Sequence, residues 1–75
     1  MYTAVHAIRV DIYPDQDIYC LIVTGADDVK SFYLINESCG DPVFMFACKT
    51  ANDTESVEFA TKNAVLYIPE EWENE

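Results

Sequence analysis

From Thr3 to Ile35 the chain spells three β-strands in a row, joined by connections short enough to force hairpins. His6, Ile8, Val10 and Ile12 alternate with Arg9 and Asp11, the period-two pattern of a half-buried strand. Tyr13-Pro14-Asp15-Gln16-Asp17 follows, and reads as a turn because proline presets φ while aspartate tolerates turn geometry. Ile18-Tyr19-Cys20-Leu21-Ile22-Val23 is apolar on both faces and rich in β-branched residues, which predicts a central strand covered on both sides. After Thr24-Gly25-Ala26-Asp27-Asp28, a third strand runs from Val29 to Ile35. Consecutive strands with short connections give an antiparallel meander.

Beyond Asn36 the pattern supports two readings. Gly40-Asp41-Pro42 resembles a helix start, with Asp as N-cap and Pro in the first turn. On that reading residues 42–51 form a helix with Val43, Phe46, Ala47 and Thr50 on one side. The competing reading makes Val43 to Cys48 a buried strand, favoured by its valine and two phenylalanines. The helix is preferred, because the start signal is specific and a sheet needs a cover. Asn52-Asp53-Thr54-Glu55 reads as loop, and Ser56 to Thr61 as a strand with Val57 and Phe59 inward. Lys62-Asn63 then connects to a last strand, Ala64 to Ile68, stopped by Pro69. The expected fold is a small α+β domain, β-β-β-α-β-β, with one helix on a face of a mostly antiparallel sheet. The alternative is an all-β six-stranded barrel or sandwich. Residues 1–69 form the domain and residues 70–75 an acidic tail.

Charge narrows the functional classes. Fourteen carboxylates face four basic residues in 75 positions, a formal net charge of −10, while 51% of the residues are hydrophobic. That apolar content is enough for a core, so the charge belongs to a folded surface, where it acts as a field. Affinity for nucleic acid depends on Lys and Arg neutralising phosphates. Here Arg9, Lys30, Lys49 and Lys62 are scattered and form no basic stripe. A negatively charged membrane surface would also repel the chain. Cys20, Cys39 and Cys48 are an odd number without a CxxC pair, and the N-terminal segment lacks the pattern of a signal peptide. A reduced cytoplasmic setting with free thiols is the expectation. Their spacing with His6 does not match a structural zinc site, and no metal or cofactor is expected.

Catalytic signatures are missing: there is no GxSxG, HExxH, P-loop or GxGxxG. Cys39 precedes the expected helix, but Glu37 and Asp41 beside it disfavour a thiolate. His6 shares a strand face with Ile8, Val10 and Ile12 and reads as a packed or edge histidine. Asp15 and Asp17 begin like a calcium loop yet lack its glycine and distant glutamate, which excludes an EF-hand. The turns bearing Asp15 and Asp17 and bearing Asp27 and Asp28 fall at opposite ends of a meander, too far apart for one cation site. No catalytic residue is assigned.

What remains is binding. Pro69-Glu70-Glu71-Trp72-Glu73-Asn74-Glu75 is the densest acidic stretch and holds the only tryptophan. If extended, it presents a strip of carboxylates backed by an aromatic anchor. Glu70, Glu71, Trp72 and Glu73, with Asp15 and Asp17, are the candidate partner-binding residues. The competing reading is a solubilising tail whose tryptophan folds back onto the sheet. The expected function is a non-enzymatic protein that engages a basic surface, such as that of a nucleic-acid-binding protein. In size, charge and absence of catalytic motifs the chain resembles phage-encoded inhibitors of host nucleases, including anti-CRISPR proteins and DNA mimics, a likeness of composition. The alternative is a homo-oligomeric accessory protein, a homodimer for instance. It is motivated by Phe44, Met45 and Phe46, which cannot all point inward from one element.

Overall fold

The computed structural model describes residues 4–13, 15–38 and 40–73. It is an α+β domain built on one antiparallel sheet of four strands, β1 (Ala4–Arg9), β2 (Ile18–Thr24), β3 (Val29–Asn36) and β4 (Val43–Lys49), in spatial order β1-β2-β3-β4. The eleven-residue helix α1 (Asp53–Asn63) follows, then a 3-10 turn at Ala64–Tyr67 and the single-turn helix α2 (Glu70–Glu73).

The first three strands lie within the segments expected of them, although β1 stops at Arg9, short of the alternation that runs on to Ile12. Registers such as Ile8 with Cys20 and Cys20 with Leu34 place Ile8, Ile18, Cys20, Ile22, Phe32 and Leu34 on one face. That face meets Ala60 of α1, Ala64 of the turn and Trp72 of α2, and these side chains make one core. Small residues at 56, 60 and 64, each four apart and all buried, line the inner side of α1 and its extension. They let the helix backbone approach the sheet closely.

The second half exchanges the expected elements. Residues 43–49 form a strand and not a helix, because the aromatic and β-branched run pairs along β3. Residues 56–61 are helical and not a strand. Asn52 is the true N-cap: its Oδ1 accepts from the Glu55 amide at 2.8 Å, and a Glu55 carboxylate oxygen accepts from the Ala51 amide at 2.7 Å. This is a variant of the capping box, in which the glutamate reaches back past the cap residue. The expected last strand at 64–68 is a 3-10 turn, with Val65 and Leu66 exposed. The covering helix therefore comes after four strands.

A β-bulge accommodates the triplet at 44–46. Tyr33 pairs with Phe44 and Phe32 with Phe46, leaving Met45 as the extra residue. Met45 is buried, Phe46 stacks on Phe32 with ring centroids 4.6 Å apart, and Phe44 points to the other side, 55% exposed.

That other side is uncovered, contrary to the expectation for β2. Tyr19, Leu21 and Val23 are half-buried and take no part in the core. The shortest dimension of the molecule, 15 Å, is that of a sheet with one covering layer.

Candidate acidic docking end

None of the strand segments AVHAIR, IYCLIVT, VKSFYLIN and VFMFACK contains a carboxylate. Among the described residues the acids therefore sit at the ends of the sheet and on the helices. One end gathers three connections distant in sequence: residues 10–17 between β1 and β2, residues 37–42 between β3 and β4, and the segment from Pro69 through α2.

Side-chain amides tie these connections together. Gln16 Nε2 donates to the Trp72 carbonyl at 2.6 Å, and Gln16 Oε1 accepts from Asn36 Nδ2 at 2.8 Å. Asn36 is fully buried, and its Oδ1 accepts from the Ser38 amide at 2.9 Å. The Glu37 amide donates to the Asp17 carbonyl at 3.1 Å. One recess at this end is lined by Asp15, Gln16, Asn36 and Ser38, and a neighbouring one by Asp41, Pro42, Val43, Pro69, Glu71 and Trp72. Asp15, Glu37, Asp41 and Glu71 are exposed around them.

Arg9 marks the corner nearest β1. Its Nε and Nη1 donate to Asp11 and Asp17, both at 2.9 Å, and its guanidinium lies 5.9 Å from the Tyr19 ring centroid. Hydrogen bonding to Asp11 first, then to Asp17 and Tyr19, raises the arginine pKa further above its already high value. Asp11 and Asp17 are thus partly neutralised within the molecule. Asp15, across the turn, has no such cation among the described residues.

The predicted site residues divide accordingly. Asp15, Asp17, Glu70 and Glu71 are brought to one end. Trp72 is 3% exposed and belongs to the core, so it is a structural anchor and offers no face to a partner. Residues 70–73 are helical, so the strip of alternating carboxylates expected of an extended tail does not form. The Glu73 side chain and residues 74–75 lie outside the described residues, as does Cys39. Glu37 and Asp41 join the end without having been among the candidate binding residues. Their proximity follows from the β3–β4 hairpin, which the helix reading of 42–51 concealed. Asp27 and Asp28 occupy the opposite end of the sheet, as the meander requires.

Other candidates fall elsewhere. Cys20 and Cys48 are free thiols separated by β3. His6 is exposed on the edge strand and lines a cleft with Lys30, Asp53 and Ser56. Among the described residues no group of three or more His, Cys, Asp or Glu is placed to hold a metal ion, and no helix is long and apolar enough to cross a membrane. The chain matches no protein-family model, no curated protein and no solved structure.

Proposed function

We propose that this chain is a small non-catalytic binding protein whose acidic end engages a basic surface of a protein partner, in the manner of an inhibitor that occupies phosphate sites on a nucleic-acid-handling protein. The observation that carries the reading is the Gln16–Trp72 hydrogen bond backed by Asn36. It holds carboxylates from three connections on one end instead of leaving them on a mobile tail. A preorganised anionic end forfeits less conformational entropy on binding than a flexible one. Its field also steers a cationic partner into encounter.

The test is capture on the immobilised protein from nuclease-treated lysate, at low and at moderate salt, against a variant carrying Asp15→Asn, Glu70→Gln and Glu71→Gln. Basic nucleic-acid-binding proteins should be enriched at low salt and displaced by added duplex DNA. The association rate of a captured partner should fall about tenfold for the variant. No such enrichment, or enrichment that the neutralised variant retains in full, would sink the reading.

A further inference from the structure

The uncovered face of the sheet has the opposite character from the acidic end. By register it carries Val5, Ala7 and Arg9 from β1, then Tyr19, Leu21 and Val23 from β2. Val29, Ser31, Tyr33 and Ile35 follow from β3, with Phe44, Ala47 and Lys49 from β4. Val5 is 64% exposed, and Tyr33 meets Phe44 edge-on at 5.5 Å. Val5, Leu21, Val23, Tyr33 and Pro42 line a shallow apolar depression across it. The only charges on the strands of this face are two cations at diagonal corners, Arg9 and Lys49. A strongly basic partner would therefore find nothing here to pair with.

We propose that this face is covered by a second copy of the same chain, closing two sheets into a reversible face-to-face sandwich. Each copy brings an apolar surface whose strands carry no carboxylate. Stacking with strands antiparallel sets the acidic end of one copy over the Lys49 corner of the other, and aligned sheets pack naturally with their inner faces ~10 Å apart. Four strands spaced ~4.8 Å, paired over about six residues, give a footprint on the order of 400 Å² per copy. Both copies together thus fall below the ~1,200 Å² that begins the class of stable interfaces, so the dimer is a weak one. Long-range repulsion between two chains of net charge −10 opposes it further, and salt screens that repulsion.

Salt therefore acts in opposite senses on the two surfaces: it loosens capture at the acidic end and tightens the sandwich. The proposal is tested by sedimentation equilibrium of the whole chain in reducing buffer, from about 10 µM to about 1 mM, at low salt and at about 0.5 M NaCl. The dimer constant should tighten roughly tenfold with salt. Phe44→Ser and Val5→Ser, both at well-exposed positions, should each weaken it severalfold while the far-UV circular dichroism stays that of the parent. Phe44→Asp should leave a monomer. A chain that stays monomeric throughout, a dimer that loosens with salt, or one that the Phe44 and Val5 variants leave intact would each overturn the proposal. None of these outcomes touches the acidic-end reading, which is scored by capture of a basic partner and not by self-association.

Discussion

Asn36 sits fully buried at the end of β3 with both poles of its amide engaged, donating to Gln16 and accepting from Ser38. Asn36→Ala strands the Ser38 amide and one face of Gln16, and should cost about 1–3 kcal/mol of unfolding free energy, measured by urea titration. Asn36→Asp should cost more, since it removes the donor to Gln16 and adds a carboxylate among carboxylates. Cys20, also fully buried, carries a pH signature. Burial pushes its thiol from 9.0 up to about 11. The unfolded chain therefore releases this proton first as pH rises. The Cys20 contribution to stability is complete below pH 9 and is lost progressively towards pH 11. Cys20→Ala should flatten that part of the stability–pH curve; an unchanged alkaline slope would refute the assignment.

At the scale of elements, the β2–β3 turn is strained. Asp27 and Asp28 have φ of 61° and 59°, and the Val29 amide donates to the Ala26 carbonyl. Two successive left-handed residues make a type I′ turn, which favours glycine at its second central position. Asp28→Gly should raise stability by about 0.5–1 kcal/mol, read from the urea midpoint. An Asp28→Asn control removes the charge while retaining a residue that tolerates the left-handed conformation. The strands β1 to β3 were readable on different grounds, β1 from its alternation and β2 from a run of β-branched and apolar residues, with turn formers bounding each of the three. The next two elements were misassigned for a physical reason. Asp41-Pro42 and Asn52-Asp53-Thr54-Glu55 both carry helix-start chemistry, and local chemistry alone does not say which is used. Tertiary pairing along β3 decides it: Val43 to Lys49 completes the sheet, leaving the Asn52 cap to start α1. The small residues at 56, 60 and 64 were the helical signal, hidden under the alternation of Val57 and Phe59.

For the whole molecule, the governing quantity is the separation of charge from the sheet. Ten uncompensated negative charges repel one another, and screening relieves them, so the urea midpoint should rise between about 0.01 and 0.1 M NaCl, as the Debye length falls from ~30 to ~10 Å. A midpoint that falls would mean that the ion pairs of Arg9 outweigh the repulsion. The acids at positions 15, 17, 70 and 71 could be named one by one from the sequence. Their convergence could not, because it rests on a Gln16–Trp72 contact across 56 positions, which no local pattern encodes. That contact has an optical consequence. The only indole of the chain lies in the core, with its own carbonyl fastened to the acidic end, so its emission should be blue in the folded protein. Loosening of α2 should shift it red even while the amide circular dichroism of the sheet persists. Trp72 is thus an intrinsic gauge of whether the acidic end is assembled, readable without any label.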